Sequence, residues 1–322
     1  MDLIKQIFDS GVVGCGGAGF PTHVKLKASP EILIINGAEC EPLLRTDRYL
    51  MIHEAEKLVS GVDLICRELS MPEGRIALKK TYTKEIEALT AAIEKLHSKV
   101  QLHLMDSFYP AGDEQVVVYE VTGKVVPPAG IPLDVGAIVD NVATIIAVAD
   151  AVSGIPFTEK YLTVTGEVRE PSVLKVPVGT SFAQCIEMAG GRTSDKVMVV
   201  SGGPMMGFSL HSLDFPVLKG TGGLLLFDHQ SELAKLPPEN PCVRCGKCVD
   251  TCPMFLEPTQ LFKAVKRRDW PAALAGHVGT CIECGSCAYN CPAHIPLVQY
   301  IRMGKQFILT DGFGGHNPYY KK

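Results

Sequence analysis

Eight of the twelve cysteines in this 322-residue chain repeat one spacing, Cys-x2-Cys-x2-Cys-x3-Cys-Pro, in two copies. The first copy comprises Cys242, Cys245, Cys248 and Cys252, and the second comprises Cys281, Cys284, Cys287 and Cys291. Three thiolates so spaced can bind three corners of a [4Fe–4S] cubane, while the cysteine before proline binds the other cubane in two-cluster ferredoxins. The spacing therefore predicts two [4Fe–4S] clusters, with Cys291 completing the first set and Cys252 the second.

Structural zinc is the alternative for these cysteines. Zinc sites use paired Cys-x2-Cys units that supply four ligands in total, whereas each copy here has three close cysteines and a fourth before proline. The spacing therefore favours iron–sulfur. The four scattered cysteines are expected to be small buried side chains: Cys15, Cys40, Cys66 and Cys185. The nine histidines show no metal-ligand spacing.

A glycine-rich loop near the N-terminus is the second candidate for chemistry. Gly14-x-Gly16-x-x-Gly19 matches a dinucleotide fingerprint, with Glu39 about where a ribose-binding acid would stand. A helical pattern, not a long apolar strand, precedes the loop, so the pattern alone leaves two interpretations open. Either the loop approaches the phosphate of a cofactor, or it is a structural turn.

The elements that would position these residues follow from apolar periodicity. Strands at 32–35, 76–78 and 100–105 alternate with helices at 47–69, 83–96 and 141–152, which predicts an α/β domain over 1–157 with a mainly parallel sheet. Short strands and one helix indicate a small second domain over 158–235, and a polar linker with Pro237-Pro238 is expected at 229–240. A helical domain over 236–310 would carry the cysteines, with a helix at 261–275, and an extended tail would follow at 311–322.

Composition narrows the class of protein. The net charge of -4 argues against a nucleic-acid-binding protein, which normally has a basic face. No apolar run is long enough to cross a bilayer, and the first residues lack the pattern of a signal peptide. A cytoplasmic protein is therefore expected. Lys263, Lys266, Arg267 and Arg268 form a basic helix face that either docks an acidic redox protein or is simply solvated.

Several motifs, in one order, resemble a known family. The loop Gly14–Thr22 is similar to the flavin loop of the FMN-carrying subunit of respiratory complex I, and the similarity continues through 36–42, 47–48, 112–114 and 140–144. The segments 126–128 and 202–207, together with the paired cysteine motifs, resemble more closely the C subunit of Rnf-type complexes and the cobalamin reductase of propanediol-utilisation microcompartments. The chain departs from these relatives in lacking an additional barrel-like domain.

The resemblance implies a Rossmann-like FMN domain, a β-grasp domain of the soluble-ligand-binding type, and a helical dicluster ferredoxin domain. It also implies roles for individual residues. The flavin phosphate and ring would be contacted by Gly14, Gly16, Gly17, Ala18, Gly19, Phe20 and Lys25. The ribityl chain or ring would be hydrogen-bonded by Asn36, Asn141 and Thr144. The entry of a nicotinamide dinucleotide would lie near Glu39, Glu41 and Asp113.

These implications lead to an expected function. NADH would pass a hydride to FMN, and the clusters would carry the electrons singly to a partner protein, because flavins can exchange one or two electrons. Two alternatives stay open: a relay protein that does not bind NAD(H), and an assembly module without redox activity. The expected setting is a complex of several subunits, in the cytoplasm or peripheral to a membrane or microcompartment.

Overall fold

The computed structural model describes residues 2–310 except positions 29, 129 and 236. The tail predicted for 311–322 lies outside the described residues. The chain forms two compact units. One lies within Met1–Val126 and Ile131–Ala234 and the other within Pro127–Gly130 and Lys235–Lys322.

Parallel strands form the first sheet of the larger unit: β1 (Ile32–Asn36), β2 (Glu73–Lys79), β3 (Gln101–Met105) and β4 (Ala137–Asn141). Their order is β3-β2-β1-β4, and every neighbouring pair is parallel. The central strand β1 is an almost uninterrupted apolar run because helices cover both faces of a parallel sheet. The predicted α/β fold is confirmed.

The helices of this layer are α1 (Leu3–Asp9), α2 (Thr22–Lys25), α3 (Thr46–His53), α4 (Ala55–Glu68), α5 (Thr83–Leu96), α6 (Glu114–Thr122) and α7 (Val142–Val152). Leu33 and Ile35 pack on one side of β1 with α1, α4, α5 and α7. On the other side, Ile34 packs against Val117 and Val118 of α6. Alternate residues of β1 thus point to two separate cores, as the period of a strand requires.

Two features of this layer differ from the sequence prediction. The helix predicted over 47–69 is two helices, α3 and α4, because the backbone at Glu54 leaves the helical region at φ -120° and ψ 25°. Helix α6 was not predicted. Its signals were present, since Asp113 caps its N-terminus and Val117, Val118 and Val121 make a helical apolar stripe.

A second sheet of the same unit comprises β5 (Glu159–Gly166), β6 (Ser172–Pro177), β7 (Val197–Ser201), β8 (Phe208–Ser209) and β9 (Gly223–Asp228), in the order β6-β5-β9-β7-β8. Strands β5 and β9 pair in parallel, and the other neighbours are antiparallel. Helix α8 (Phe182–Met188) packs Phe182, Cys185 and Ile186 onto this sheet. One helix across a small mixed sheet is the arrangement that the sequence predicted, and Cys185 is buried as expected.

The smaller unit is helical, with α9 (Lys247–Asp250), α10 (Pro258–Lys266), α11 (Trp270–Ala275), α12 (Ser286–Tyr289) and α13 (Leu297–Thr310). Its halves repeat, because α12 begins 39 residues after α9 and α13 begins 39 residues after α10. The helix predicted over 261–275 is α10 and α11, since Arg268 has a φ of 57° and Pro271 stands in the first turn of α11. Among the described residues, no helix has the length and apolarity to cross a membrane.

Candidate functional site

Two asparagines lie side by side where the first sheet reverses its strand order. Asn36 ends β1, Asn141 ends β4, and the two are register partners. The chain proceeds from β1 outward through β2 to β3 and then returns to β4 on the other side of β1. Open parallel sheets bind ligands in the crevice that such a reversal creates at the carboxyl ends of the strands. The topology therefore gives Asn36 and Asn141 a position at a ligand crevice.

The glycine-rich loop is a closed loop that begins and ends at one bridge. Val13 pairs with Pro21 in an antiparallel bridge. The Gly14 N–H donates to the Phe20 carbonyl at 2.8 Å. The residues between them therefore project as a short loop with a fixed base.

Helix α7 and the end of β4 hold this loop beside the crevice. The Cys15 N–H donates to Thr144 Oγ1 in the first turn of α7, at 2.9 Å. A Cβ built on Gly16 would lie 3.5 Å from the Asn141 Cβ, so the loop backbone packs against that side chain. Thr144 is completely buried, and its hydroxyl positions the loop.

The tip of the loop is open. Gly17 and Gly19 have φ values of 112° and 66°, which favour glycine, and a Cβ at either position would meet no atom within 4 Å. Gly17 and Ala18 are exposed, and Phe20 is 52% exposed. Phe20 is therefore no core residue, and the loop presents bare backbone where a phosphate group can approach.

The two crevice asparagines hold the surrounding loops in place. Asn36 Nδ2 donates to the Gly112 carbonyl at 2.7 Å. Asn141 Oδ1 accepts from the Ala143 N–H at 2.9 Å, and Asn141 Nδ2 donates to Asp47 Oδ2 at 2.7 Å. Hydrogen bonds from the ends of β1 and β4 therefore hold the loop at Gly112 and the start of α3 at Asp47 in fixed positions.

Glu39 lies at the start of α3, with its backbone at a φ of 33°. Its carboxylate accepts from the N–H groups of Asp47 at 2.9 Å and Arg48 at 3.2 Å. Burial, together with the nearby Asp47 carboxylate, raises the pKa of Glu39 to about 7, although the two backbone N–H groups oppose the shift. A carboxyl group beside the crevice thus titrates near neutral pH.

This shift predicts a fall in stability as pH rises. Because the folded state keeps the Glu39 proton at pH values where the unfolded chain has lost it, the free energy of unfolding decreases between about pH 4.5 and 7, by at most about 1.4 kcal/mol per pH unit. Urea unfolding followed by circular dichroism at several pH values measures this slope. Glu39→Gln should flatten it, whereas Glu94→Gln, at an exposed position of α5, should leave it unchanged. An identical slope in Glu39→Gln would contradict the assignment.

The other two acids predicted to lie near a nicotinamide have structural partners. Glu41 Oε2 accepts from the Met205 N–H at 3.0 Å, and the carboxylate lies directly against Gly203. Asp113 caps α6, accepting from the Gln115 N–H at 3.0 Å. Burial raises the pKa of Asp113. The structure thus brings Glu39 to the start of α3, Glu41 to the 202–207 segment and Asp113 to the start of α6.

Two lysines lie close to the glycine-rich loop or to β4, which lies beside it. Lys25 was predicted from the sequence as a site residue, and Lys160 was not. Lys25 donates to the Val139 carbonyl and lies 3.6 Å from Asp140 Oδ1. Lys160 was missed. It is 2% exposed, its Nζ lies 3.5 Å from the Cys15 carbonyl, and its charge opposes the burial that raises the pKa of Asp47. The available signal was its place on the same face of β5, by the two-residue period of a strand, as the buried Leu162 and Val164.

These observations fit a flavin mononucleotide. The loop offers exposed backbone for a phosphate, and amide side chains stand at the strand ends where a polar chain would lie. The flavin contacts of individual residues stay predictions.

Four thiols surround one cavity in the helical unit. Its lining includes Cys252, Cys281, Cys284 and Cys287. Burial raises the pKa of the Cys287 thiol to about 12, with further increases from Cys281, Cys284 and Cys252. Because repulsion between charges weakens with distance, these contributions agree with the grouping of the four thiols around one cavity. This is the crossed set predicted from the spacing.

Of the remaining thiols, Cys248 and Cys291 influence each other electrostatically. Burial raises the pKa of Cys248, and the charge that adds to this effect comes from Cys291. Cys242 and Cys245 are exposed. In the described part of the chain, no three Cys, His, Asp or Glu side chains converge on a point that could hold a single metal ion. In a cubane each thiolate binds a different iron, so the ligands surround a cavity.

Hydrogen bonds and charges adjust the environment of the second set. The Leu256 N–H donates to Cys252 Sγ and the Glu283 N–H to Cys281 Sγ, both at 3.4 Å. Hydrogen bonds to cluster sulfurs are one determinant of reduction potential. From α13, Lys305 Nζ donates to the Cys281 carbonyl and binds Glu283 Oε1, both at 2.7 Å. The four thiols, the N–H donors and the cation together fit a cubane.

Removing the Lys305 charge is expected to lower the midpoint potential of one cluster by tens of millivolts. A nearby cation favours the reduced, more negative cluster, and a tenfold change in a one-electron equilibrium corresponds to about 59 mV. Potentiometric titration followed by EPR of Lys305→Met measures the shift. The control is Lys263→Met on α10, for which the described residues show no ion pair. Equal potentials in Lys305→Met and wild type would contradict this role.

Comparison with known families separates three regions of the chain. Residues 7–150 match the Nuo51 FMN-binding domain, residues 161–209 match the SLBB domain, and residues 240–295 match the 4Fe-4S dicluster domain. These matches confirm the predicted order of folds. They also confirm the predicted cofactors, FMN and two [4Fe–4S] clusters.

The chain is similar to characterised redox proteins. It is 39% identical over 312 residues to the C subunit of the Na(+)-translocating ferredoxin:NAD(+) oxidoreductase complex of Acetobacterium woodii, covering 95% of this chain and 70% of that one. It is 40% identical to the C subunit of the proton-translocating complex of Clostridium ljungdahlii, covering 81% and 57% respectively. It is 41% identical to the cobalamin reductase PduS of Salmonella typhimurium, covering 79% and 58%.

A solved NAD+-reducing [NiFe]-hydrogenase shares the fold, with a TM-score of 0.68 at 22% identity, over 94% of this chain and 62% of that one.

The chain spans between 57% and 70% of the length of the three curated relatives. The identity to the Acetobacterium protein over most of both chains decides the family. The chain belongs to the family of the C subunit of the ion-translocating ferredoxin:NAD+ oxidoreductase complexes, which are electron-transferring oxidoreductases.

Proposed function

We propose that the chain transfers electrons between NADH and a partner redox protein by way of FMN and two [4Fe–4S] clusters. The observation that carries the proposal is the presence, in one chain, of a strand-order crevice with an open glycine loop and of a cavity surrounded by four cysteines. A flavin exchanges electrons singly or as a hydride, and clusters exchange them singly. The combination therefore suits a converter between two-electron and one-electron carriers.

The residues at the crevice would bind and orient the flavin. The open backbone at Gly17 and Gly19 would approach the phosphate, while Phe20 offers an exposed ring for stacking. Asn36 and Asn141, fixed at the strand ends, would hydrogen-bond the ribityl chain or the ring. Lys25 contacts Asp140 of β4, and Thr144 of α7 accepts a hydrogen bond from the loop. Both residues would therefore position the flavin site.

In the helical unit, the eight thiolates would hold the two clusters in crossed sets. Burial holds the pKa of the Cys281 thiol at about 11, so the iron must stabilise the thiolate when the cluster binds. The N–H donors of Leu256 and Glu283, together with Lys305, would then set the electron affinity of the second cluster.

Use of NADH is supported by the relatives whose names specify ferredoxin:NAD+ oxidoreductase. Glu39, Glu41 and Asp113 would lie near the nicotinamide dinucleotide. Anaerobic stopped-flow mixing of the FMN-loaded, cluster-loaded protein with NADH tests this step. We expect the flavin absorbance to bleach. A flavin that dithionite bleaches and NADH does not would remove NADH from the proposal.

A relay without NAD(H) is the second candidate. Glu39 and Glu41 already accept hydrogen bonds from the backbone of Asp47, Arg48 and Met205, which favours a structural role for these acids. Calorimetric titration with NADH separates the two candidates, since a relay would bind FMN and give no NADH binding heat. In either case we propose a place within a complex of several subunits, peripheral to a membrane.

A further inference from the structure

The charge of the chain is divided unevenly between its two units. Residues 1–234 contain 20 lysines and arginines and 29 acidic residues. Residues 235–310 contain nine lysines and arginines and five acidic residues, a formal charge of +4 in a chain of net charge -4. The cluster-binding part is therefore the cationic part of an acidic protein.

A comparison of the two repeats in the helical unit shows which cations have no ion-pair partner among the described residues. Arg244 and Glu283 occupy equivalent places, 39 residues apart, and both have left-handed backbones, with φ values of 56° and 58°. Glu283 is held by Lys305 at 2.7 Å and by Arg302 at 2.9 Å. Arg244 is exposed, and the described residues offer it no ion pair. At this place the first repeat thus has an arginine without an ion pair among the described residues, and the second has a glutamate paired with two cations.

The next equivalent pair shows the same contrast. Lys247 is exposed and has no ion-pair partner among the described residues. Its equivalent, Ser286, is buried and accepts from Cys284 Sγ at 3.4 Å. Asp250 is the exposed acid of this segment, so residues 240–250 keep a formal charge of +1. Two cations thus stand within the first cysteine motif, at places where the second motif makes internal contacts.

Burial of the thiols follows the same division. Cys242 and Cys245 are exposed, whereas their equivalents in the second repeat, Cys281 and Cys284, are half-buried and buried. Val243, between the two exposed thiols, is 66% exposed, and Val249 is 39% exposed. Apolar side chains among free cations, around exposed cluster ligands, are typical of a surface that docks a partner.

We propose that the Arg244–Lys247 edge of the first cysteine motif is the docking surface for an acidic redox protein that exchanges electrons with this chain. The inference rests on the proposed electron-transfer function and adds the partner's chemistry and its place of contact. One electron leaves the reduced centre of the partner and enters the cluster bound by Cys242, Cys245, Cys248 and Cys291, or moves in the opposite direction. No bond is made or broken and no proton is needed.

The test uses an acidic plant-type [2Fe–2S] ferredoxin as the probe and the cluster-loaded full chain. Calorimetric titration of the two oxidised proteins at low salt should give binding that weakens as salt is added, because exposed charges are screened. Arg244→Glu with Lys247→Glu should raise the Kd by about tenfold or more at low salt, and the difference should shrink at high salt. Reduced ferredoxin, freed of dithionite, should reduce the variant more slowly by a similar factor. Basic cytochrome c, used as an oxidant of the reduced chain, should instead oxidise the charge-reversal variant faster than wild type.

The matched control is Lys84→Glu with Lys99→Glu. Both are exposed lysines of the other unit, and the pair changes the net charge by the same amount. Its Kd should stay close to that of wild type. If the charge-reversal variant contains less iron than wild type, the same measurements are made on Arg244→Gln with Lys247→Gln. An equal effect of both pairs, or no salt-sensitive binding by wild type, overturns the proposal, and neither result depends on NADH.

Discussion

Replacing Cys248 and Cys252 together by alanine is expected to leave almost no iron on the chain, whereas replacing Cys252 and Cys287 together should leave about four irons. The two pairs remove the same number of ligands. They differ because Cys252 lines the cavity of Cys281, Cys284 and Cys287, whereas Cys248 does not line it and, in the crossed arrangement, shares its cluster with Cys291. The first pair therefore damages both clusters and the second pair only one. Iron and sulfide analysis of anaerobically purified protein measures the difference.

The uncrossed arrangement makes the opposite prediction. If each motif bound its own cluster, Cys248 and Cys252 would share one cluster, and that double variant would keep about four irons. Cys185→Ala provides the control, because this buried thiol packs in the second sheet and should leave the iron content unchanged. Reversed iron contents in the two double variants would contradict the crossed sets.

Gly19→Ala is expected to weaken FMN binding by about tenfold, which corresponds to about 1.4 kcal/mol. A Cβ at this position meets no protein atom, so a loss of affinity comes from the strained backbone and from the space that the flavin needs. Quenching of FMN fluorescence by the FMN-depleted protein measures the Kd.

Gly123→Ala is a closely matched control. Gly123 has a φ of 69° beside 66° for Gly19, and a Cβ there also meets nothing within 4 Å. Gly123 follows α6, away from the glycine loop in the sequence, so both variants should lose similar stability and only Gly19→Ala should lose FMN. Equal FMN affinities in the two variants would show that the loop does not contact the flavin.

The cluster ligands could be predicted from the sequence because their geometry is local. Three cysteines within seven residues must line one turn of chain, and proline after the fourth ends that turn. Strands such as β1 were also predictable, since a short apolar run between turn residues is a local pattern.

Helix α6 was missed although its signals are local, whereas other missed features depend on contacts between distant parts of the chain. Lys160 reaches the crevice from the second sheet, 145 positions after the Cys15 carbonyl that it contacts. The partners of Glu41 and Asn36 are likewise remote in sequence, at Met205 and Gly112. Sequence similarity indicated these residues, and only the fold gives their contacts.

The central claim is that electrons from NADH reach the clusters through the flavin. EPR spectra of protein frozen after anaerobic mixing with NADH test it most directly, with FMN-loaded and FMN-depleted samples of the same cluster-loaded preparation. We expect reduced-cluster signals in the FMN-loaded sample and none in the depleted one. Clusters that stay oxidised while the bound flavin bleaches, or that NADH reduces equally without FMN, would contradict the claim.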